Sequence, residues 1–354
     1  MVQLQINLSK IQYNAKVLLS TLAEHDINFT PVIKCVAGDK RIIEVLKHIG
    51  LTHFAEARID NINKSIDEDV SFTMIRTVNK SELEDVVLKS KMSIQTEITT
   101  IRQINEIAKK HHKKHQILLM IDWKDAREGI LTYDVIDYIQ EILTMHNICL
   151  SGLAFNFMCF NAIPPNDNDV EMINQFVASI ENEAGFHFKI ISGGNSSMLP
   201  QMFYNNLGMI NDLRIGETLF RGTDTTTDKP IATLFQDAIT MEAEIVEIKP
   251  RLDIATGKNY LQAILDIGYL DTYADELVPL NNNIQVLGAT SDHVMVDLQN
   301  CDHYQVGDTI NFALGYRALA QSMYADNIPK KYVEDSGIQL INEHFIEQQL
   351  NSFN

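Results

Sequence analysis

The first 220 residues alternate between short apolar runs and longer stretches in which apolar residues recur every three or four positions. The short runs are typical of strands, whereas the longer period predicts amphipathic helices. Nine runs are visible: QLQINL, FTPVIKCV, THFAEA, SFTMIRT, MSIQTE, QILLMID, ICLSGLAFNF, FHFKIISG and DLRIGETLF. The main predicted helices span residues 9–25, 40–50, 98–112, 135–146 and 170–184, with Ser9 as the N-cap of the first.

Strands that alternate with helices at this spacing predict a parallel sheet covered by helices, an α/β fold. A closed (β/α)8 barrel, also called a TIM barrel, needs eight strands, one fewer than the runs in the sequence. We therefore expect one run, most simply the first, to pair outside the barrel.

Beyond about Gly222 the pattern changes to strand-like segments separated by polar turns. The segments are DAITMEAEIVEI, YLQAILDIGY, IQVLGA, HVMVDL and TINFALG, and no long helical period lies between them. This pattern predicts a second, β-rich domain of about a hundred residues. Residues 338–350 return to a helical period, so we expect a helical tail that packs on the surface.

The chain has 354 residues and a formal net charge of −18. Such an acidic protein lacks the basic surface that nucleic acids and anionic membranes attract, so neither is expected as a partner. The N-terminus has no apolar signal segment, and no apolar run approaches the length of a membrane span. A soluble, cytoplasmic protein is therefore expected. Its cysteines lack CxxC spacing and are predicted to be reduced core thiols: Cys35, Cys149, Cys159 and Cys301.

Lys34 lies in the apolar run PVIKCVAGD. A lysine among apolar residues pays a large desolvation cost unless it is paired or used covalently. It falls where the predicted strand ends, and strand C-termini form the active-site face of such a barrel. The alternative is a lysine that simply extends from the strand end into water.

The segment Ser192-Gly193-Gly194-Asn195-Ser196-Ser197 follows another apolar run. Glycines after a strand, with hydroxyls at the start of a helix, direct several N–H groups to one point and can bind an anion or a phosphate. Arg214-Ile215-Gly216 ends the next strand and could reach the same face. The alternative is an ordinary glycine-rich turn with a serine cap.

The β-rich domain carries several tyrosines and carboxylates near predicted turns. They lie in the segment DIGYLDTY at residues 266–273, in Ser291-Asp292-His293, and at Tyr316 and Tyr324. A tyrosine serves as an acid or base if its neighbours lower its pKa, but most tyrosines in such a domain contribute to packing.

Other polar residues are better explained by local structure. His111, His112 and His115 stand beside two lysines, so a solvated helix end is favoured over a metal site. Asp39 and Asp60 follow early strands and are interpreted as helix caps. No metal is expected.

From about residue 3 to about residue 325, the sequence resembles the alanine racemase superfamily, fold-type III enzymes that depend on pyridoxal 5'-phosphate (PLP). Within it, the ornithine racemase branch of predicted amino-acid racemases is most similar. The matching strings are INLSKIQYN, VIKCVAGD, FAEARIDNI, DAREG, ISGGNSSMLP, LRIGE, DAITMEAEIVEIK, GATSDHVMVDL and LGYRALAQSM. Their order and spacing together are specific.

The resemblance implies a PLP-binding (β/α)8 barrel over residues 8–224. It implies a β-rich domain made of residues 1–7 and 225–330. It also implies a homodimer in which the two chains share their active sites. The first run would then be a strand of the second domain. The helical tail predicted over residues 331–354 lies beyond the resemblance.

The resemblance also implies PLP as the cofactor. Lys34 would form the Schiff base and move the α-proton on one face of the substrate. The loop carrying Asn195 and Ser196, the amide of Gly216, and Tyr324 would bind the phosphate.

Arg214 matches the arginine that faces the pyridine nitrogen. A guanidinium keeps its proton, so that nitrogen stays unprotonated, which favours proton return over transamination or decarboxylation.

Racemisation needs a second acid or base on the opposite face of the α-carbon. By resemblance this is Tyr269, contributed by the other subunit. Arg127 of DAREG would support binding of the substrate carboxylate, and Asp292 would line the substrate entry.

Three positions depart from the usual alanine racemase pattern. Asn156 replaces a histidine near the pyridine ring, Met120 replaces a modified lysine, and Gly38 replaces a tyrosine near the phosphate. Asparagine and glycine at two of these positions are typical of the ornithine racemase-like branch, although that branch often lacks a tyrosine at the position of Tyr269.

The sequence therefore predicts a racemase that interconverts the L- and D-forms of a free amino acid, ornithine or an alanine-type substrate. Two alternatives remain: a fold-type III amino-acid decarboxylase, against which Arg214 argues, and a PLP-carrying regulatory protein without turnover.

Overall fold

The computed structural model describes residues 2–65, 69–257, 259–299 and 301–343. The first strand, β1 (Gln3–Asn7), leads into a barrel of eight parallel strands. The barrel strands are β2 (Asn28–Pro31), β3 (His53–Glu56), β4 (Ser71–Met74), β5 (Met92–Gln95), β6 (His115–Met120), β7 (Ile148–Ala154), β8 (Ile190–Ser192) and β9 (Asp212–Ile215). The helices around them are α1 (Leu8–Ala23), α2 (Lys40–Lys47), α3 (Ile59–Asn63), α4 (Leu83–Lys89), α5 (Ile98–Lys110), α6 (Val135–Ile142), α7 (Asp167–Ala184), α8 (Leu199–Tyr204) and α9 (Glu217–Arg221).

The barrel is closed between its first two strands in the chain, β2 and β3. Hydrogen-bonded neighbours run in the order β2, β9, β8, β7, β6, β5, β4 and β3. A parallel bridge between Val32 and Ala55 joins the two ends, and the N–H of Ile33 donates to the carbonyl of Ala55 at 3.0 Å. The predicted eight-stranded barrel is confirmed.

Side-chain alternation along β9 separates the core from the barrel interior. Leu213 and Ile215 are fully buried and join the hydrophobic core between the strands and the helices. Asp212 and Arg214, which alternate with them, therefore face the inside of the barrel. This alternation brings two charged side chains beneath the C-terminal ends of the strands.

The second domain is an eight-stranded, mainly antiparallel sheet that includes β1. After a short hairpin of β10 (Thr223–Asp224) and β11 (Lys229–Pro230), its elements are β12 (Ile239–Leu252), β13 (Asn259–Leu265), β14 (Leu277–Pro279), β15 (Gln285–Ala289), β16 (Val294–Asp297), β17 (Thr309–Leu314), α10 (Tyr316–Tyr324) and β18 (Lys330–Val333). β1 lies between β12, with which it is antiparallel, and β18, with which it is parallel. The expectation that the first run pairs outside the barrel is confirmed.

Two elements near the C-terminus differ from the prediction. Helix α10 interrupts the β-rich domain, and residues 330–333, partly assigned to a helical tail, form strand β18 instead. Four residues are too short to show a period, and they become a strand because the edge of β1 is free to pair with them. Residues 336–343 are helical, and residues 344–354 of the predicted tail lie outside the described residues.

The N-cap of the first helix lies two residues before the predicted cap, Ser9. Asn7 is the N-cap of α1, and its side-chain oxygen accepts the N–H of Lys10 at 3.0 Å. Ser9 instead accepts the N–H of Asp335 at 2.9 Å, so the prediction for Ser9 is wrong. The cap prediction for Asp39 is confirmed, because its carboxylate accepts the N–H of Ile42 at the start of α2.

The prediction that the three histidines lie at a solvated helix end is wrong for His115. His115 is 1% exposed because it is the first residue of β6 and not part of the preceding helix. Its Nε2 lies 2.8 Å from Oγ of Ser93, and burial lowers the pKa of His115 to about 4.

The cysteine prediction holds for two of four positions. Cys35 and Cys301 are buried, whereas Cys149 and Cys159 are exposed. Cys159 is exposed because it lies in the loop after β7. None of the described helices combines the length and the apolar character needed to cross a bilayer.

Candidate active site

A cavity of about 670 Å³ opens where the barrel strands end. Seven of the site residues predicted from the sequence line it: Lys34, Arg127, Asn156, Asn195, Ser196, Arg214 and Gly216. They come from the ends of five different strands or the loops that follow them. A volume of this size is typical of a pocket for a cofactor or a small ligand.

Lys34 enters the cavity wall from a tight turn that ends β2. The turn, Lys34–Val36, is a short 3-10 helix closed by Ala37 in the left-handed conformation. The side chain of Lys34 is half-buried, so its amine stands at the boundary between the barrel and the cavity. Burial raises the pKa of the adjacent Cys35 to about 12, which keeps that thiol protonated and unreactive.

The glycine-rich loop after β8 meets the start of α9. Gly194 has φ of +140°, a backbone conformation that a side chain would strain, and it lets the chain turn back toward the cavity. Oγ of Ser196 accepts the N–H of Thr218 at 3.3 Å, which joins this loop to α9 beside Gly216. The hydroxyl of Thr225 also lines the cavity, and it is buried without a hydrogen-bond partner among the described residues. The hydroxyls of Ser196 and Thr225 can each donate a proton into the cavity, so this wall is suited to an anion.

Arg214 is a fully buried cation at the base of the cavity. Its guanidinium donates to the carbonyl of Phe155 at 2.6 Å and to the hydroxyl of Ser192. That hydroxyl donates in turn to the carboxylate of Asp212. Burial lowers the pKa of Arg214, and Asp212 opposes this effect. The guanidinium is thus fixed in one orientation below the cavity.

Arg127 and Asn156 line the side of the cavity formed by the ends of β6 and β7. The guanidinium of Arg127 donates two hydrogen bonds to the carboxylate of Glu128. Burial opposes the charge of Arg127, but the bonds to Glu128 outweigh it and raise the pKa. Nδ2 of Asn156 donates to Asp125 at 3.2 Å, so neither side chain is free to rotate.

Tyr269 and Asp292 lie together, but outside the cavity of their own chain. A side chain at Gly268 would collide with the backbone of residues 291 and 292, so the glycine allows the two turns to touch. The hydroxyl of Tyr269 donates to Asp275 at 2.5 Å, and this bond raises the pKa of Tyr269. Tyr269 is 41% exposed and is available to a second molecule.

The two tyrosines of α10 differ in their relation to the cavity. Tyr316 lines the cavity, and burial raises its pKa. Tyr324, the predicted phosphate contact, lies outside the cavity lining and accepts a hydrogen bond from Nδ2 of Asn61 at 2.6 Å.

Several lining residues were absent from the predicted site: Arg76, Thr77, Glu128, Glu217 and Thr225. Arg76 and Thr77 follow β4, so the rule used for Lys34, that strand C-termini form the site, could have identified them. Burial raises the pKa of Glu217, whose carboxylate accepts a hydrogen bond from Arg221.

Residues 6–224 match the family model described as the alanine racemase N-terminal domain. The chain belongs to this family. It is 29% identical to an ornithine racemase from Acetoanaerobium sticklandii, over 93% of this chain and 99% of that protein. It is 28% identical to a lysine racemase from Thermotoga maritima, over 93% of this chain and 98% of that protein.

A solved structure has the same fold at lower identity. The alanine racemase from Bartonella henselae with covalently bound pyridoxal phosphate superposes with a TM-score of 0.72. The match covers 94% of this chain and 99% of the other at 15% identity. The barrel with its C-terminal antiparallel domain is thus the fold of that enzyme.

Proposed function

We propose that this chain is a PLP-dependent amino-acid racemase acting on a free diamino acid such as ornithine. The observation that carries the proposal is the grouping of Lys34, Ser196, Arg214 and Gly216 around one cavity of suitable size. Membership of the alanine racemase family and similarity to ornithine and lysine racemases over nearly the whole chain support it.

The residues of the cavity fit PLP. An amine, an arginine and several anion donors are what an aldehyde, a pyridine nitrogen and a phosphate require. Lys34 would hold the aldehyde carbon, Arg214 the ring nitrogen, and Ser196, Gly216 and the unpartnered hydroxyl of Thr225 the phosphate. The bound cofactor supplies an electron sink that makes the α-proton of the substrate acidic.

The protein's own task is to move that proton between the two faces of the α-carbon. The amine of Lys34 serves one face. Tyr269 of a second copy of the chain serves the other, because in its own subunit this exposed tyrosine lies outside the cavity. The proposal therefore includes a homodimer whose two sites are each built from both chains, with Asp292 near the entry.

The cavity wall offers carboxylates to a substrate with a second ammonium group. Glu128 and Glu217 both line the cavity, the first beside Arg127 and the second beside Arg221. Arg127 would contact the α-carboxylate, and one of the two glutamates would accept the distal ammonium. The two curated relatives act on ornithine and lysine by name, which supports this class over a small neutral amino acid.

We place the PLP-binding barrel at residues 8–224 and the second domain at residues 1–7 together with 225–330, continued by β18 to residue 333. The homodimer would work in the cytoplasm on small-molecule substrates, without nucleic acid or membrane partners.

A chiral assay against a panel of free amino acids tests the function. The PLP-loaded enzyme is expected to racemise ornithine or lysine faster than alanine. Glu128→Gln and Glu217→Gln test the side-chain contact, since the responsible variant should raise KM for ornithine several-fold more than KM for alanine. Release of carbon dioxide without formation of the other enantiomer would indicate a decarboxylase and overturn the proposal.

A further inference from the structure

Asp125 is a buried carboxylate that holds a whole loop beside the cavity. Its side chain is 4% exposed. Oδ1 accepts the backbone N–H groups of Cys159, Phe160 and Asn161 at 3.1, 3.0 and 3.2 Å. Oδ2 accepts Nδ2 of Asn156 at 3.2 Å. One side chain thus binds four donors of the loop that joins β7 to α7.

Three successive N–H groups converging on one oxygen form a concave anion site of the kind that fixes a loop. Hydrogen bonds to a charged acceptor are stronger than those to a neutral one. Removal of the carboxylate would leave these donors without their partner, so the loop conformation depends on Asp125.

The backbone around these contacts is strained. Lys124 and Ala126, the neighbours of Asp125, have φ of +65° and +49°, and Met158 in the loop has φ of +58°. Residues other than glycine keep such conformations only when their surroundings enforce them. One contact that holds this conformation is the hydrogen bond that Nδ2 of Asn161 donates to the carbonyl of Lys124 at 3.0 Å.

The loop held by Asp125 forms one wall of the cavity. Asn156, Met158 and Cys159 line it. Nδ2 of Asn195 donates to the carbonyl of Phe157 at 2.7 Å, which connects the loop to the glycine-rich segment after β8.

Asp125 also faces the arginine on the opposite side of its own turn. Nε of Arg127 lies 4.0 Å from Oδ2 of Asp125. The carboxylate therefore stands between Arg127 and the amide of Asn156, and its oxygen Oδ2 is close to both.

We propose that Asp125 is a positioning residue that fixes the β7–α7 loop and, through Oδ2, sets the orientation of Asn156 and Arg127 in the cavity. Asp125 does not line the cavity, so it acts through these neighbours. The catalytic part of this inference rests on the proposed racemase function, whereas the anchoring of the loop does not.

Two substitutions separate the roles of the two oxygens. Asp125→Asn keeps an acceptor for the three backbone N–H groups, but it places an amide nitrogen where Asn156 needs an acceptor and removes the negative charge beside Arg127. Asp125→Ala removes both carboxylate oxygens. The matched control is Asp122→Asn, since Asp122 lies on the same segment and accepts a hydrogen bond from the N–H of Ala126, not from the loop.

Limited proteolysis tests the anchoring directly. Phe160 in the loop is 71% exposed, and Tyr133, outside the loop, is 77% exposed and serves as the internal reference for chymotrypsin. In the PLP-loaded enzyme, Asp125→Ala should speed cleavage after Phe160 about tenfold relative to Tyr133, because local opening controls cleavage. Asp125→Asn and Asp122→Asn should stay near wild type. Wild-type cleavage of Asp125→Ala would overturn the anchoring role.

Kinetics test the second role. Asp125→Asn is expected to lower kcat/KM for racemisation about tenfold, a typical effect of losing a partner that orients a site residue. Asn156→Ala should have a similar effect, and the double variant should be no worse than the more impaired single variant. Fully additive losses would overturn the action through Asn156. If no amino acid is racemised, the function fails while the proteolysis result still decides the anchoring.

Discussion

Arg214 and Asp212 lie two residues apart on β9 and are joined through the hydroxyl of Ser192. Both are buried, with 5% exposure each. Asp212 also accepts hydrogen bonds from Thr30 at 2.6 Å and Asn28 at 2.8 Å. The carboxylate therefore provides the negative charge that lets a cation remain inside the barrel.

Removing only the carboxylate should destabilise the protein strongly. Asp212→Leu is expected to lower the free energy of unfolding by about 3–5 kcal/mol, because it leaves the Arg214 guanidinium buried without compensation. The double variant Asp212→Leu/Arg214→Met should recover part of this loss. Urea unfolding followed by circular dichroism measures both, and a double variant that loses the sum of the single effects would contradict the coupling.

Lys34 is expected to carry both cofactor attachment and proton transfer. Lys34→Ala should remove the absorbance band of the lysine-bound cofactor and lower kcat by about 10³-fold or more, as loss of a nucleophile does. Lys89→Ala, at a surface ion pair with Asp85, is the control and should keep both. A variant that lacks Lys34 but keeps the band and the activity would show that another group binds PLP.

Tyr269→Phe should affect the two faces of the substrate unequally. Net racemisation must slow equally in both directions at equilibrium, so the informative measurement is entry of solvent deuterium into each enantiomer. Exchange should persist for the enantiomer whose proton Lys34 removes and should be lost for the other. Equal loss for both enantiomers would argue against Tyr269 as the second base.

The hydrogen bond from Tyr269 to Asp275 predicts a pH effect. The carboxylate raises the pKa of Tyr269, so Asp275→Asn should lower that pKa. If the phenolate is the base, the acidic limb of the kcat/KM profile for the direction that Tyr269 serves moves to lower pH. The same substitution in a Tyr269→Phe background should leave the limb in place, and a shift there would assign it to another group.

His115 predicts an acid-dependent loss of stability. Burial lowers its pKa from 6.5 to about 4, so the folded state favours the neutral ring. Its contribution to stability is complete above pH 6.5 and is lost as the pH falls toward 4, by up to about 3 kcal/mol. The free energy of unfolding, measured with urea at several pH values in this range, should change less with pH for His115→Gln than for wild type. His48→Gln, at an exposed position, should show the same pH dependence as wild type.

The barrel was predictable because its strands and helices repeat strongly enough to be seen locally. Lys34 was predictable for a related reason: a charge inside an apolar run stands out. Tyr316 and Tyr324 were not distinguishable in this way, since they are the first and last residues of one helix and only packing decides which end meets the cavity.

The contacts of the β7–α7 loop with Asp125 could not be predicted from local sequence patterns either. Asp125 and Asn156 are separated by 31 residues and meet only because β6 and β7 are neighbours in the barrel. Strand β18 has no pattern of its own and exists because β1 offers an edge.

The position of β1 has a consequence for synthesis of the chain. Ile6 of β1 pairs with Ile239, so about 230 residues must be translated before this first strand finds its partner. During that interval an apolar strand remains unpaired beside a barrel that β9 completes only near its end, a condition that favours association with other nascent chains. The last strand pairing to form would then be that between β1 and β18, which joins residues more than 300 positions apart in the sequence.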